Sequence, residues 1–538
     1  MQIWNTASCP PAALEPGDHV VIGVYLAAML WMGFSIARKQ KSTDDFFVGG
    51  RNLPAWAVGI SIFASLLSTI TYLGMPGEMF RTGAAFLTRQ LPIPLVLVVV
   101  WFLWIPFFMR LKLTSAYEYL ERRFNYTTRA LGAVFCLLLL FGWISVVVLT
   151  ASNAMAEIVE LNLGWWPNVD THVMIVSVGL FSVVYTTMGG IRAVIWTDVI
   201  QFLVLMIGAF FTMGFIAFET GSGLTDWIAT SQTYKHEAVE WFKPDVGDRS
   251  NVVFISLGMF FWFICTHGSN QIALQRYFTV RNAREARKSY LVSAVASIFI
   301  GVTLAGVGIS LVHYTEKSPD SNLPAESDLE SKVTKVRNKA QDSIFPQFIS
   351  QKLPWGLRGM VVAALFAAAM STIDSGANSA STIVTVDFLR RSANAPREGS
   401  AEELKRARTM TATSGIIVVA YTMLLHRISE GTDIITLCQK GFNCFLGPLG
   451  AVFALGMFSK RVTARSMVPA FLLGEVVGVC SSYSDELFGR PFSTHLVIAV
   501  SWLATVVVAW LSAVIMRTRV SEEQQRLLWG PVVRGRNA

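Results

Sequence analysis

The sequence predicts an all-α polytopic membrane protein with about thirteen transmembrane helices, and three observations support this prediction. Hydrophobic residues make up 53% of the 538 positions and charged residues only 15%, and the mean hydropathy is +0.49. The apolar segments reach the roughly 20 residues that a helix needs to cross the hydrocarbon core of a bilayer. The basic residues are concentrated in alternate connections between these segments.

Polar connections divide the chain into these apolar segments, which we number span 0 to span 12. Their predicted limits are 19–37, 55–75, 84–109, 127–158, 171–188, 193–219, 251–274, 289–314, 355–385, 408–426, 431–458, 465–483 and 493–516. Spans 1 to 10 are expected to form the core of the molecule. Span 0 precedes this core, and spans 11 and 12 follow it.

Basic residues predict how the chain is oriented in the membrane. Most of the 44 Lys and Arg residues fall after the even-numbered spans or in the C-terminal tail. Because cytoplasmic loops carry an excess of positive charge, the N-terminus is expected outside and the C-terminus in the cytoplasm. An odd number of spans requires the same arrangement. The net charge of +8 is therefore a sign of topology and does not indicate nucleic-acid binding.

A polar stripe runs along span 8. Ser371, Asp374, Ser375 and Asn378 recur at helical spacing on an otherwise apolar segment. An Asp at the bilayer centre costs roughly 2.5–3.5 kcal/mol, so the stripe is expected to face protein or a water-filled path. Hydroxyl and carboxylate oxygens are the ligands that hard cations prefer. The stripe therefore predicts an ion site in the middle of the membrane.

Two core spans have sequences that favour an interrupted helix. Span 1 is rich in Ser and Thr and ends in the Gly- and Pro-containing stretch 72–78, and span 6 carries Thr266 and His267 within the polar stretch 266–271. Interrupted helices at corresponding positions, five spans apart, indicate a substrate site at the midplane of an inverted-repeat transporter. The alternative is that Gly and Ser only allow close helix packing. Thr266 and His267 are accordingly candidates for substrate binding.

Six motifs follow one another along nearly the whole chain. They lie at 47–51 (FVGGR), 68–78, 113–120 (LTSAYEYL), 189–198 (GGIRAVIWTD), 270–277 and 368–379. Together they resemble the sodium:solute symporter family, and the N-terminal half is most similar to carriers of monocarboxylates, vitamins and iodide. The resemblance implies a LeuT-like core of two inverted five-helix repeats and Na⁺-driven alternating access.

The resemblance also implies how the chain is divided. Residues 1–54 would hold the external N-terminus, the leading helix and the first cytoplasmic loop. The first repeat would cover 55–219 and the second 220–458, including the external loop 315–353, with a short amphipathic helix expected near 328–340. Residues 459–538 would form two trailing helices and a cytoplasmic tail.

The principal Na⁺ site that the resemblance implies lies between span 1 and span 8. Its ligands would be the backbone carbonyls of Ala64 and Leu67 on span 1, the carbonyl of Ala368, and the hydroxyls of Ser371 and Thr372 on span 8. The last two follow Ala368 by three and four positions, so the three oxygens converge on one helix face. The alternative is that both hydroxyls only bond back to their own helix.

A second Na⁺ site is present in some members of the family. The corresponding positions are Asp198 on span 5 and Ser371 and Ser375 on span 8. Asp198 has a competing interpretation, because it lies in the first turns of span 5 and a carboxylate is favourable at a helix N-terminus. Na⁺ is the only metal expected, and no other cofactor is expected.

Sialic acid carriers of the family suggest where a solute would bind. The positions that match their span 1 hydroxyls and span 2 side chains are Ser68, Thr71, Phe86 and Gln90. Those carriers also hold the carboxylate with an arginine in span 3. This chain has Phe141, Gly142 and Trp143 in that region and no basic residue. The sequence therefore argues against a sialic acid carboxylate held in that way.

Lys440 lies within span 10, where sugar carriers of the family have a glutamine. An ammonium at that depth requires a counter-charge or an anionic ligand. Three solutions remain open: a substrate carboxylate, an internal pair with Asp374, or a side chain that snorkels to the outer interface. The first would make Lys440 a substrate-binding residue.

The sequence thus predicts a secondary active symporter of the plasma membrane. It would couple Na⁺ to the import of a small polar organic solute, which Lys440 suggests is anionic. The alternatives are a symporter for a sugar or other neutral solute, an uncoupled facilitator and a membrane sensor. An enzyme is not expected, since no HExxH or other catalytic motif is evident. The expected partners are Na⁺, the solute and the lipid bilayer, without nucleic acid or an obligatory protein partner.

Overall fold

The fold was analysed on a computed structural model of the chain. The structure describes all residues except 1–13, 39, 41, 160–168, 235, 237–240, 243–244, 246–250, 318–343, 429–433, 491 and 536–538. The side chains of 86, 157, 159, 169, 170 and 434–441 also lie outside the described part. The short helix predicted near 328–340 falls entirely outside the described residues.

Helices account for all the predicted spans, and no strand occurs among the described residues. Span 0 corresponds to α1 (Pro16–Ala37), span 1 to α3 (Ala55–Leu66) with α4 (Thr69–Thr82), span 2 to α5 (Ile93–Val99) with α6 (Ile105–Leu111), and span 3 to α8 (Tyr126–Val159). Spans 4 and 5 together correspond to α9 (Val169–Thr220). Spans 6 to 12 correspond to α11 (Val252–Ser269) with α12 (Gln271–Tyr277), α13 (Ala283–Lys317), α15 (Leu357–Ile383), α16 (Ala401–Ile428), α17 (Ile434–Phe458), α18 (Ala464–Ser482) and α20 (Val497–Ile515).

Shorter helices lie in the connections and in the tail. They are α2 (Thr43–Val48), α7 (Glu118–Arg123), α10 (Leu224–Thr233), α14 (344–351), α19 (Ser484–Phe488), α21 (Glu522–Gln525) and α22 (Trp529–Arg534). By length and composition, ten helices of the described part can cross a membrane, and the bent pair α3–α4 makes an eleventh. The predicted number of spans is compatible with these helices, because α9 corresponds to two spans and α17 is a further apolar helix.

Helix α9 is the longest element, with 52 residues, and it corresponds to spans 4 and 5 together. A straight helix of that length would measure about 78 Å, far more than the roughly 30 Å hydrocarbon core. The helix is interrupted at Gly190, which has φ 52° and ψ −161°. A Cβ on Gly190 would lie 2.6 Å from the carbonyl oxygen of Phe46. Glycine is therefore required here both for the backbone conformation and for the close approach of α2.

Span 1 is interrupted, as predicted, but the interruption lies at Leu67 and Ser68, between α3 and α4, with a bend of 70°. The predicted end of span 1 at residue 75 is wrong, because α4 continues through Pro76 to Thr82. Helix α13 packs closely along this stretch: a Cβ on Gly308 would lie 2.9 Å from the carbonyl oxygen of Pro76. Packing against α13 thus stabilises a helix that the local sequence disfavours.

Span 6 is interrupted at Asn270, between α11 and α12. The backbone of Asn270 is extended (φ −80°, ψ 126°), and its side-chain oxygen accepts a hydrogen bond from the backbone N–H of Ile272. An Asn that caps the second helix satisfies one of the backbone donors that the interruption leaves free. The first helices of the two predicted repeats are therefore both interrupted.

Helix α15 lies at the centre of the molecule. Of its most apolar stretch, 89% is buried, a larger share than for any other span in the described part. It packs against α9, α8, α1 and α16. Its N-terminus is capped from the leading helix, since the carboxylate of Asp18 accepts hydrogen bonds from the N–H groups of Gly356 (2.6 Å) and Gly359 (2.7 Å). The polar stripe of span 8 is thus enclosed by protein on all sides.

Candidate ion and substrate sites

The interruption of span 1 exposes backbone oxygens to α15. Helix α3 ends at Leu66, and Leu67 and Ser68 adopt extended conformations, with ψ 116° and 166°. The Ser68 hydroxyl then caps α4 by accepting a hydrogen bond from the N–H of Thr71 at 3.3 Å. The last carbonyls of a helix have no intrahelical partner. The ones at the end of α3 are therefore available to a side chain or an ion.

Residues of the predicted principal Na⁺ site come together at this point. The Ser371 hydroxyl lies 3.1 Å from the carbonyl oxygen of Ala64 and 3.0 Å from that of Ala368. The Thr372 hydroxyl lies 3.3 Å from the same Ala368 oxygen. Both hydroxyls thus bond back to their own helix, and Ser371 also reaches across to span 1. Leu67, the remaining residue of the predicted set, is buried, at 3% exposure.

Two residues of the predicted second Na⁺ site contact a guanidinium. Arg276 on α12 is fully buried, and it lies 3.1 Å from Asp198 Oδ2 and donates to the hydroxyls of Ser375 (2.5 Å) and Ser61 (2.8 Å). The third residue of that set, Ser371, instead contacts span 1. Asp198 and Ser375 therefore share one partner, which already carries a positive charge. The second site stays a prediction.

A cavity of about 310 Å³ opens beside the interruption of span 1. Four of the predicted substrate-binding residues line it: Ser68, Thr71, Gln90 and His267. Leu67 also belongs to its wall, so the cavity adjoins the predicted principal Na⁺ site. This volume lies at the lower end of the range of small-molecule sites.

Neighbouring residues hold Gln90 and His267 in the wall of this cavity. A Cβ on Gly301 would lie 2.4 Å from Gln90 Nε2, so the absence of a side chain on α13 leaves the space that the amide occupies. His267 Nδ1 lies 2.9 Å from the hydroxyl of Tyr277, and its ring packs edge-on against Tyr290. Both side chains are consequently fixed at the wall before any solute binds.

The described structure locates one of the three remaining predicted residues. Thr266 is 2% exposed and does not line the cavity. The side chains of Phe86 and Lys440 lie outside the described residues. The three solutions open for Lys440 therefore stay predictions.

The cavity wall also contains polar residues that the sequence analysis did not identify: Glu78, Arg89, Asn443, Thr494 and His495. A signal for Arg89 was present, because it is the single charged residue within the predicted limits of span 2. Charged residues within spans mark substrate or ion pathways. The other four lie at or beyond the ends of predicted spans or among apolar neighbours, and no spacing distinguishes them.

Arg89 and Arg81 share the carboxylate of Glu78. The Nη2 atom of Arg81 lies 2.7 Å from Glu78 Oε2, and that of Arg89 lies 3.7 Å from the same oxygen. Arg89 and Glu78 line the cavity, whereas Arg81 does not. This cluster lies on the side that the distribution of basic residues predicts to be external.

Comparison with known proteins decides the family. The model of the sodium:solute symporter family matches residues 46–474. The chain belongs to this family. It is a secondary active symporter that couples Na⁺ to the transport of a small organic solute, and its family consists of transporters and not of enzymes.

Relatives of this symporter carry chemically different solutes. It is 30% identical to the sodium/sialic acid symporter NanT of Aliivibrio fischeri, with 94% of this chain and 95% of the relative covered. It is also 30% identical to the sodium/sialic acid symporter SiaT of Proteus mirabilis, over 90% of this chain and 93% of the relative. The sodium/glucose cotransporter of Vibrio parahaemolyticus is 27% identical, over 91% and 90% of the two chains.

Solved structures confirm the predicted fold class. A substrate-bound, outward-open Na⁺-coupled sialic acid symporter is 28% identical and superposes with a TM-score of 0.80, covering 94% of this chain and 99% of the other. The nucleobase-cation-symport-1 transporter Mhp1 shares the fold at 12% identity, with a TM-score of 0.53 over 90% and 97% of the chains. This symporter therefore has the LeuT-like fold of an all-α integral membrane protein.

Proposed function

We propose that this symporter imports a small polar solute that bears a carboxylate, by alternating access through the cavity beside span 1. Na⁺ would bind at the carbonyls of Ala64, Leu67 and Ala368 and the hydroxyls of Ser371 and Thr372. We also propose that it acts in the plasma membrane, with the N-terminus outside and the C-terminus in the cytoplasm. Na⁺ entering at its site would lock span 1 to α15 next to the solute, which couples the two binding events.

The observation that carries this proposal is the guanidinium of Arg89 in the cavity wall. A guanidinium matches a carboxylate with two parallel hydrogen bonds, which gives both affinity and orientation. Gln90, the next residue, adds an amide to the same wall. Two relatives that are 30% identical to this chain are sialic acid symporters, and sialic acid is a carboxylated sugar. Arg89 would supply the positive charge that the region of Phe141, Gly142 and Trp143 in span 3 lacks.

A neutral polyol is the second candidate solute, and a separate observation favours it. Glu78 lies 3.7 Å from Arg89 and so offers the guanidinium a carboxylate within the protein. The polar wall also holds hydroxyls and amides, among them those of Ser68, Thr71, Gln90, Asn443 and Thr494. Such groups pair with sugar hydroxyls in both directions, since each can donate and accept.

Uptake into proteoliposomes tests both candidates. The purified symporter would be given an inward Na⁺ gradient, or a K⁺ gradient as control, with labelled sialic acid, glucose or myo-inositol. The carboxylate proposal expects Na⁺-dependent uptake of sialic acid in preference to the two neutral solutes. Na⁺-dependent uptake of glucose or myo-inositol alone would support the second candidate and contradict the first.

Arg89→Gln tests the carboxylate contact directly, and Arg81→Gln is its matched control. Both arginines contact Glu78, but only Arg89 lines the cavity. Losing a hydrogen bond to a charged group costs about 1.5–3 kcal/mol, which corresponds to a roughly 10- to 150-fold loss of apparent affinity. Arg89→Gln should show this loss for the anionic solute, and Arg81→Gln should not. Equal effects of the two substitutions would mean that the cluster acts only through its structure.

A further inference from the structure

An acidic residue lies within the membrane on the first trailing helix, away from the ion and substrate sites. Glu475 belongs to the middle part of α18 and to none of the six motifs. It is 5% exposed, so protein covers it. Neither of its carboxyl oxygens has a hydrogen-bond partner among the residues that the structure describes. An ionisable residue within a span is expensive and marks a functional site by default.

Two glycines bring α18 close to α17 around Glu475. A Cβ on Gly478 would lie 2.6 Å from the carbonyl oxygen of Cys444, and a Cβ on Gly474 would lie 3.4 Å from the Cβ of Pro448. Gly478 therefore opposes Cys444, and Gly474 opposes Pro448 one turn further along α17. Glu475 lies between these two levels of the contact.

Pro448 leaves a backbone oxygen of α17 without its usual donor. It lies inside the helix and has no N–H, so the carbonyl of Cys444, four positions earlier, loses its intrahelical hydrogen bond. The carbonyls of a helix point toward its C-terminus, and this oxygen is directed from the level of Cys444 to that of Pro448. A donor on α18 between the two levels would satisfy it. Glu475 is such a donor only when its carboxyl group is protonated.

The helices that pack against α18 place no described positive charge beside Glu475. These helices are α17, α20, α8 and α19. Helix α20 contains no charged residue, and the charges of α19 are the acidic, exposed Asp485 and Glu486. On α8 the described charge is Arg129, which is ion-paired with Asp387. A buried carboxylate without a counter-charge is strongly disfavoured, whereas a protonated carboxyl group is neutral.

Helix α17 contributes the buried Cys444 thiol and Lys440, whose side chain lies outside the described residues. The side of α18 that carries Glu475 is otherwise aromatic. Phe471, one turn earlier, packs against Phe135 of α8 with the ring centroids 5.0 Å apart, and Phe135 stacks on Phe445 of α17. A hard metal cation is held by a shell of several oxygens. A proton needs a single acceptor, so it suits these surroundings better.

We propose that Glu475 is a proton-binding site whose carboxyl group donates to the carbonyl of Cys444 and so fastens span 11 to span 10. Phe442 and Asn443, the two residues before Cys444, line the cavity. The proton therefore fixes the segment of span 10 that forms the cavity wall. Its removal would leave two groups that only accept hydrogen bonds facing each other, which displaces the wall and weakens solute binding. The site does not depend on which solute the symporter carries.

Infrared spectroscopy of the purified full-length symporter at pH 7 tests for the proton, because a protonated carboxyl group absorbs apart from a carboxylate. The difference spectrum between the wild type and Glu475→Gln should contain the band of one protonated carboxyl group. Glu486→Gln, which changes an exposed glutamate of α19, is the matched control and should not remove this band. A difference spectrum of Glu475→Gln without the band would overturn the proposal. A band that appears only after Lys440→Gln would also overturn it, since the lysine would then neutralise Glu475.

The pH dependence of thermal unfolding gives an independent measurement. In the unfolded chain a glutamate loses its proton above a pKa of about 4.3, whereas the folded chain would retain it. The folded state then binds more protons than the unfolded state, so stability falls as the pH rises. Between pH 5 and pH 9 the folded-to-unfolded ratio of the wild type should fall by up to about tenfold per pH unit relative to Glu475→Gln. Parallel curves for the two proteins would contradict the proton site.

Solute and Na⁺ binding separate this role from a purely structural one. Glu475→Gln keeps an N–H donor for Cys444 and cannot ionise, so its affinity for sialic acid, or for glucose if that is the solute, should not change between pH 6 and pH 9. The wild type should lose affinity over this range, and Glu475→Leu should be weak at every pH. Equal pH dependence in the wild type and Glu475→Gln would overturn the proposal. Loss of a bound ²²Na⁺ in Glu475→Gln would do so too, because Glu475 would then hold a metal cation. If neither solute binds, the proposed function fails, and the infrared and unfolding measurements still decide whether Glu475 holds a proton.

Discussion

Replacing Ser371 by alanine removes one oxygen from the proposed principal Na⁺ site and nothing larger. The hydroxyl lies 3.1 Å from the Ala64 oxygen and 3.0 Å from the Ala368 oxygen, so it is the side chain that joins span 1 to α15 at this point. Because α15 is buried at this position, solvent cannot readily replace the missing ligand. The variant should therefore retain its fold and lose Na⁺ affinity.

The expected size of the effect follows from the number of ligands. The proposed site has five oxygens, all neutral, so each would carry a substantial share of the ion's stabilisation. Taking about 1.5–3 kcal/mol for a polar contact with a charged group, the Na⁺ concentration for half-maximal activation should rise roughly 10- to 150-fold. The cost to folding should be smaller, about 0.5–1.5 kcal/mol for the lost hydrogen bond.

Ser381→Ala is the control for this experiment. Ser381 lies on the same helix, is equally buried, and donates a hydrogen bond to the carbonyl oxygen of Ala407 at 2.8 Å. It should show the same small loss of stability and an unchanged Na⁺ dependence of uptake. If the Na⁺ dependence of Ser371→Ala stays within twofold of that of Ser381→Ala, the principal site does not lie on this face of α15.

Three further predictions concern the cap of α15, the cavity and the transported charge. Asp18→Ala should lower the free energy of unfolding by about 3–5 kcal/mol, because two backbone donors of α15 lose a charged acceptor in a buried position. Asp226 is an exposed cap of α10, and the control variant Asp226→Ala should change the free energy of unfolding by less than about 1 kcal/mol. Gly301→Ala should weaken solute binding, since the new Cβ displaces the Gln90 amide. Na⁺ binding measured without solute should not change. A solute affinity equal to that of the wild type would exclude Gln90 from the solute site. If two Na⁺ enter with one monoanion, each cycle moves one net positive charge inward, and an inside-negative membrane potential should accelerate uptake. Roughly 2.3 kcal/mol is available per 100 mV for that charge. An uptake rate that does not depend on the membrane potential would contradict this stoichiometry.

The spans and their interruptions were largely predictable from the sequence, because they depend on local properties. Hydrophobic length and the absence of charge are required of any helix in a bilayer, so the limits of α1 and α18 differ from the prediction by no more than three residues. The interruption at Asn270 followed from a polar stretch within an apolar span. The end of span 1 was misplaced, since Pro76 lies within a helix that α13 supports through contacts distant in the chain.

The oxygens of α15 were also predictable as a set, because helical spacing alone places Ala368, Ser371 and Thr372 on one face. The motifs that resemble the family supplied their proposed role. The contribution of Arg89 could have been suspected from its position as a lone charge in span 2. The sequence did not show that it would line the cavity, which depends on the bend between α3 and α4.

Only the tertiary structure decided which neighbour each polar residue of α15 meets. Asp374 and Ser375 are adjacent in the sequence, yet one contacts α9 and the other the guanidinium of Arg276 on α12. Helical periodicity determines the direction of each side chain relative to its own axis. The partner on that side is set by the packing of helices that are distant in the chain: Tyr185 and Asp374 are 189 positions apart, and Ala64 and Ser371 are 307 apart. Local sequence therefore determined the candidate ligands, and non-local packing determined the charges around them.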